Sequence, residues 1–166
     1  MRRFVVTLAL AVVIALPAVA RAQTPVTLQA SQTSAIVNGT TTRNTIKIGD
    51  NYKSADILIN ITNGGAVTGT LQLFIEDSAD GGVTWDDVAS SNTFAFGGAA
   101  ATQRFFIQGE VATSATQGSA AAVETLAAGT VRTGPFGDRF RIREKVSGVA
   151  GSPTGVTYTI TAVFKN

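Results

Sequence analysis

Acidic side chains are concentrated in one short stretch of the chain. Five carboxylates lie there: Glu76, Asp77, Asp80, Asp86 and Asp87. Two of them facing each other across a cleft could hydrolyse a glycosidic bond, which requires carboxyl groups about 5 Å or about 6.5–9.5 Å apart. Acids on a surface hairpin are usually solvated, however, and the sequence gives no sign of a cleft. We therefore predict that the protein is not an enzyme.

The absence of two residue types narrows the possible chemistry further. The chain contains no cysteine and no histidine. This composition excludes cysteine nucleophiles, Ser-His-Asp triads, imidazole bases and zinc sites built from cysteine and histidine. A carboxylate pair, a lysine, a tyrosine or an oxygen-ligated metal ion remains available.

Part of the acidic stretch has the spacing of a calcium-binding loop. Its acids and serine fall at positions 1, 3, 5 and 12 of such a loop, as Glu76, Ser78, Asp80 and Asp87. A calcium loop has aspartate at position 1, glutamate at position 12 and helices at both ends. Here the two acids are exchanged and the flanks have the pattern of strands. Calcium is therefore the minor interpretation, and no other cofactor is predicted.

A second motif accounts for more of this stretch. Asp80-Gly81-Gly82 between two alternating runs predicts a hairpin turn, in which glycine supplies positive φ and aspartate accepts backbone hydrogen bonds. Five residues match S-x-D-x-G-x-T-W position for position: Ser78, Asp80, Gly82, Thr84 and Trp85. They resemble the Asp box of sialidases, other β-propellers and extracellular β-proteins. The resemblance implies a structural turn away from any active site, with Trp85 packed beneath the hairpin.

Basic residues alternate with apolar ones later in the chain. The basic set is Arg139, Arg141, Arg143 and Lys145, and Phe140, Ile142 and Val146 alternate with it. Such a stripe can be a solvated face or keep an edge strand from pairing with other chains, and we favour this interpretation. It can also contact the acidic hairpin of a neighbouring subunit or bind an anion. No aromatic residues lie between the charges on that face, so nucleic acid is not an expected partner.

Period-two alternation predicts β-strands along almost the whole chain. The clearest runs are 57–62, 67–76, 139–146 and 156–164, and weaker ones lie at 25–30, 35–37, 45–48, 93–96 and 104–111. No repeat has the period of a propeller blade. The pattern predicts an all-β fold, a β-sandwich or jelly roll of about eight or nine short antiparallel strands. A closed barrel would show the same alternation.

The chain is expected to have three parts. Residues 1–22 have the pattern of a cleaved bacterial signal peptide, with arginines before an apolar run and small residues after it. Three of the 13 basic side chains lie there, so 10 would remain against 11 acidic ones, and no membrane span would be left. Residues 23–48 would form the first strands or an N-terminal arm that pairs with a neighbouring subunit. Residues 49–166 would form the sandwich, with a long Ala/Ser/Thr/Gly-rich loop at 112–130 or, alternatively, a short helix at 119–128.

Several motifs follow one another in a characteristic order between residues 67 and 166. A strand at 71–75 enters the turn at 77–81, and a Phe94/Phe96 strand, the segment 134–143 and a Thr-rich final strand follow. This order resembles small β-sandwich proteins of tailed bacteriophage virions, such as head-decoration and tail-accessory proteins. The resemblance implies a role in covering, cementing or adhering.

Together these features predict a protein that is secreted and extracellular, attached to the cell surface or periplasmic. It would be a structural subunit that forms a homo-oligomer or polymer. The alternative is a module that binds a cell-surface carbohydrate, through a sandwich face or the region of Phe94–Phe106.

Overall fold

The structure is a computed structural model that describes residues 23–48, 52–62, 68–108, 124–132, 134, 136–151 and 154–166. The signal peptide predicted for residues 1–22 and most of the loop predicted at 112–130 lie outside these ranges. Nine strands occur in the described residues: β1 (Val26–Thr33), β2 (Gly39–Lys47), β3 (Ser54–Thr62), β4 (Thr70–Ser78), β5 (Asp86–Ser90), β6 (Phe94–Ala95), β7 (Ala101–Gln108), β8 (Arg139–Ser147) and β9 (Thr157–Lys165). The prediction of an all-β fold is confirmed.

The strands form two antiparallel sheets. Sheet A has the order β1-β9-β3-β7, and sheet B has the order β2-β8-β4-β5, with β6 paired to one end of β4. The described strands of one sheet do not pair with those of the other, as expected for a β-sandwich and not for a closed barrel. Strands β8 and β9 are therefore central, and β1 and β2 are edge strands.

The core lies between the sheets because each strand directs alternate side chains inward. Sheet A contributes Ala55, Ile57, Ile59, Ile61, Phe105, Ile107, Tyr158, Ile160, Ala162 and Phe164, and sheet B contributes Leu71, Leu73, Ile75, Val88, Phe140, Ile142 and Val146. Full burial of one such aliphatic side chain stabilises the fold by about 1.5–3 kcal/mol. The period-two patterns of the sequence are thus the inward faces of the sandwich.

The structure bears on three further sequence predictions. The strand predicted at 35–37 does not form, because the chain crosses there from sheet A to sheet B, and Ile36 and Val37 are exposed. Residues 23–48 contain β1 and β2, which pair with β9 and β8 of the same chain. They therefore correspond to the predicted first strands, and the sandwich begins before residue 49. The helix considered at 119–128 is not found in its described part, 124–128, which consists of turns and irregular structure.

Candidate functional site

The loop between β4 and β5 is organised by the carboxylate of Asp80. Its oxygens accept hydrogen bonds from Ser78 Oγ (2.7 Å), the Val83 N–H (3.0 Å), the Thr84 N–H (2.9 and 3.0 Å) and Thr84 Oγ1 (2.7 Å). Ser78 Oγ accepts in turn from the Gly82 N–H at 2.8 Å. Gly82 has a φ of 99°, which glycine adopts without steric cost. The turn predicted by the motif is therefore a closed hydrogen-bond network.

This network sets the electrostatics of the turn. Donation from Thr84, first through its hydroxyl and then through its backbone N–H, holds the pKa of the Asp80 carboxyl well below its usual value, and Ser78 and Val83 add to the effect. Donors around an ionised carboxylate favour the charged form. The lone pairs that a metal ion would need are thus already directed at donors of the turn.

Trp85 is held against the same turn and is half-buried. Its indole N–H donates to the Gly82 carbonyl at 2.9 Å, and the guanidinium carbon of Arg141 lies 4.4 Å from the ring centroid. A guanidinium over a tryptophan ring contributes about 0.5–2 kcal/mol, depending on its desolvation. The indole packs against the hairpin as the motif predicts, and one of its faces is covered by a cation of β8.

The four residues considered as calcium ligands are engaged separately. Asp80 and Ser78 are hydrogen-bonded to each other in the turn. Glu76 is fully buried and forms an ion pair with Arg141. The carboxylate of Asp87 accepts the backbone N–H groups of residues 124, 125 and 126 at 3.0, 2.8 and 3.0 Å. Within the described ranges, no group of three or more acidic side chains could hold a metal ion. Asp87 therefore secures the segment at 124–126 to the sheet.

The basic side chains of β8 lie on the outer face of sheet B, as the alternation predicts. Two of them form ion pairs within the chain, Arg141 with Glu76 and Arg143 with Glu124, and their side chains are only 16% and 20% exposed. Burial raises the pKa of the Glu76 carboxyl, and Arg141 opposes this effect. The interpretation as an edge strand is wrong, because β8 is central in its sheet. A subunit contact or anion site at Arg139, Arg141, Arg143 and Lys145 stays a prediction.

The sequence prediction missed an ionic cluster between the sheets. Glu144 points inward from β8 and is fully buried. Its oxygens accept hydrogen bonds from Tyr158 Oη (2.7 Å), Arg43 Nη2 (2.7 Å) and the Ala35 N–H (3.1 Å). Burial raises the pKa of the Tyr158 hydroxyl far above its usual value, and its hydrogen bond to Glu144 adds to the rise. We call these four residues the Glu144 cluster.

One signal in the sequence could have revealed this cluster. Glu144 falls in the same alternating phase as the apolar side chains Phe140, Ile142 and Val146. An acid in the inward phase of a strand must find buried partners, because an unpaired buried charge is strongly destabilising. The phase predicts the burial of Glu144 but not the identity of its partners.

A second inward acid, Asp77, lies at the end of β4. It accepts two hydrogen bonds from Arg132 Nη2 (2.9 and 3.0 Å) and one from the Gly137 N–H (2.9 Å). Burial raises the pKa of its carboxyl, against the effect of Arg132. A Cβ on Gly137 would overlap the Ser78 carbonyl, so only glycine allows this approach. Three of the five acids of the acidic stretch are thus buried and engaged within the molecule, and a fourth, Asp80, is engaged in its exposed turn.

The sheet edges differ in how they are protected. Strand β5 is covered by residues 129–132, through hydrogen bonds such as Ser90 N–H to the Thr130 carbonyl (2.9 Å) and Arg132 N–H to the Val88 carbonyl (2.8 Å). Strands β1 and β2 are interrupted by register shifts. Strand β7 pairs with β3 without a shift, and its other side has no partner strand among the described residues. An uncovered regular edge can accept another strand.

Comparisons with protein-family models, curated protein sequences and solved structures gave no match to this chain. No helix long and apolar enough to cross a membrane occurs in the part of the chain that the structure describes. Function is therefore inferred from the residues of the chain itself.

Proposed function

We propose that the protein is a secreted, non-enzymatic structural subunit that assembles through the edge of β7 that no described strand covers. The observation that carries this proposal is the unbroken register of β7 over eight residue pairs, from Ser54↔Gln108 to Ile61↔Ala101, with no described strand on its outer side. A regular edge presents a row of unpaired N–H and C=O groups that a further strand can satisfy. The signal-peptide pattern of residues 1–22 supports secretion.

The burial and hydrogen-bond partners of the acidic residues support a non-enzymatic role. Glu76, Asp77 and Asp87 are buried and engaged with partners of the same chain, and Asp80 is committed to its turn. A carboxylate pair in catalysis must instead reach a substrate and a water molecule. The acidic stretch is better suited to holding β4, β5 and the segment 124–132 together.

The side chains of β7 suit a second copy of the same chain. Its outward residues are Thr102, Arg104 and Phe106, and Phe106 is 55% exposed. Arg104 pairs with Asp56 on β3, so two copies would not bring uncompensated charges together. Antiparallel pairing of two β7 strands about a two-fold axis would join two four-stranded sheets into one.

Engineered cysteines test this edge directly, because the chain has no cysteine of its own. We expect Thr102→Cys or Phe106→Cys to form disulfide-linked dimers on mild oxidation, whereas Thr45→Cys, an exposed position on the shifted strand β2, should form no disulfide cross-link. Light scattering of the unmodified protein should show dimers or larger species. The substitution Phe106→Lys should lower the fraction of protein in these species. The substitution Val83→Lys, at a position 81% exposed in the β4–β5 loop, is the control.

Two outcomes would contradict the proposal. One is a protein that stays monomeric at all concentrations, and the other is equal cross-linking through β2 and β7. Decoration of a repeating surface, as the resemblance to virion proteins implies, would use the same edge or the basic row of β8. The second candidate function, carbohydrate binding, is favoured by a different region, the cleft between β1 and β2.

A further inference from the structure

A polar cleft opens between the two edge strands β1 and β2. It has a volume of about 420 Å³ and is lined by Gln29, Ala30, Gln32, Thr42, Arg43 and Asn44. This volume lies within the range of about 300–1,000 Å³ found for small-molecule sites. We call it the β1–β2 cleft. It lies beside the Glu144 cluster, because Arg43 belongs to both.

Irregularities in both strands shape the cleft. Strand β1 contains two register shifts, between Thr27 and Gln29 and between Gln29 and Gln32, and β2 contains one between Thr42 and Thr45. The shifts place Gln29 opposite Ile160 and Gln32 opposite Tyr158, two inward residues of β9, and paired residues share a face. β-Bulges of this kind redirect side chains and occur often beside functional sites.

Two buried polar atoms of the lining residues have no hydrogen-bond partner among the described residues, Gln29 Oε1 and Arg43 Nε. Gln29 is only 8% exposed, and its Nε2 donates to the Ala30 carbonyl at 3.2 Å. Turning this amide over would bring its oxygen against that carbonyl, so this hydrogen bond favours the orientation in which Oε1 is unpaired. Buried polar atoms are nearly always paired, and an unpaired one in a native protein requires an explanation such as a water molecule or ligand.

The chemistry of the lining indicates the class of ligand. Amide and hydroxyl side chains both donate and accept hydrogen bonds, as the hydroxyl groups of a sugar do. The one cation, Arg43, is already neutralised by Glu144 at 2.7 Å, so an anion would gain little there. None of the lining residues is aromatic. We propose that the β1–β2 cleft binds a neutral, hydroxyl-rich ligand, namely a sugar unit of an extracellular glycan.

Side-chain resonances test the site without knowledge of the natural glycan. The isotopically labelled protein is titrated with four neutral disaccharides, maltose, cellobiose, lactose and chitobiose, up to about 20 mM, which exceeds the millimolar Kd of a weak site. We expect at least one of them to shift the side-chain amide signals of Gln29, Gln32 and Asn44 and the Nε–H signal of Arg43. The indole signal of Trp85, in the β4–β5 loop, should stay in place.

Matched variants separate a specific site from general surface binding. Thr42→Val combined with Gln32→Ala removes a hydroxyl and an amide from the lining, and we expect affinity to fall about tenfold, as for the loss of two modest hydrogen bonds. Thr45→Val, an exposed threonine of the same strand outside the lining, should leave affinity unchanged. Backbone amide spectra establish that each variant is folded.

Three results would overturn the proposal: no shift with any of the four disaccharides, shifts that persist in the double variant, or a response of these side chains to sulfate but not to sugars. The proposal does not depend on assembly through β7. If the protein binds sugars but stays strictly monomeric, only the assembly proposal is contradicted. If it forms β7 dimers but binds none of the sugars, only the cleft proposal is contradicted.

Discussion

Asp80 and Glu144 both act as acceptors of several hydrogen bonds, but they do so in opposite settings. The donors to Asp80 lie within four residues of it along the chain, in an exposed loop. The donors to Glu144 lie 14, 101 and 109 residues away, and the carboxylate is fully buried between the sheets. The Asp80 turn is thus a local structure in contact with solvent, whereas the Glu144 cluster exists only once both sheets have come together.

This difference has consequences for stability. Loss of the Asp80 carboxylate frees N–H groups that water can reach, so only the loop should respond. Loss of the Glu144 carboxylate leaves the Arg43 guanidinium, whose side chain is 23% exposed, and the fully buried Tyr158 hydroxyl without their acceptor. A buried group without a partner is costly. The following experiments test this contrast, from the largest expected effect to the smallest.

The largest effect should come from Glu144→Ala. We expect the free energy of unfolding in urea to fall by about 3–5 kcal/mol, the range for removing one partner of a buried ion pair. Lys47→Ala is the control, because Lys47 is 66% exposed and pairs with Asp138 at the surface, at 3.7 Å. A loss for Glu144→Ala no larger than the 0–1 kcal/mol typical of surface ion pairs would remove the distinction between the two sites.

Alkaline pH should weaken the Glu144 cluster. In the unfolded chain the Tyr158 hydroxyl loses its proton near its ordinary pKa of 10.0, whereas in the folded protein its pKa is raised by burial. The folded state therefore binds more protons above pH 10.0, and its stability falls as pH rises beyond that value. The loss should be about 1.4 kcal/mol per pH unit. Urea denaturation at successive pH values should show this slope in the wild type and a smaller one in Tyr158→Phe.

At neutral pH, Tyr158→Phe should have a smaller effect than Glu144→Ala. It removes one donor from Glu144 and leaves Arg43 in place, so we expect a loss of about 1.5–3 kcal/mol, as for a hydrogen bond to a charged group. Tyr52→Phe is the matched control, since Tyr52 packs on Phe164, with ring centroids 5.1 Å apart, and not on Glu144. Equal losses in the two variants would argue against a special role of the Glu144 hydrogen bond.

The smallest global effect should come from Asp80→Asn. Hydrogen exchange at the Thr84 N–H should become faster, while the urea midpoint should change less than in Glu144→Ala. Because the pKa of Asp80 is lowered from 3.8, its contribution is fully present above that pH and fades as pH falls through the lowered value. An NMR titration in which the Asp80 carboxyl protonates at its ordinary pKa would contradict the network described for the turn.

The parts of the molecule that could be predicted from the sequence are those set by near neighbours. Alternation over 57–62 and 156–164 predicted the two central strands of sheet A, because a strand with one buried face has an apolar side chain at every second residue. The turn at 78–85 could be recognised because all its donors and acceptors lie within one short segment.

The remaining features depend on contacts between distant segments. The strand predicted at 35–37 gave way to a crossing between sheets, where the Ala35 N–H meets Glu144. The basic residues of β8 looked solvated because their partners Glu76 and Glu124 are distant in the sequence. The β1–β2 cleft depends on register shifts, and a one-residue shift leaves little trace in a short polar strand such as β2.

The order of the strands in the sheets also constrains how the chain can fold. The inner strands β8 and β9 come last among the nine, and each pairs with an early strand on one side and a middle strand on the other. Until both have been synthesised, β1 and β2 have no partner and neither sheet can close. Pairings between such distant segments are slow to form. The pairs β3–β7 and β4–β5 can form earlier, but the edge strands β1 and β2 can join their sheets only after the last two strands have appeared.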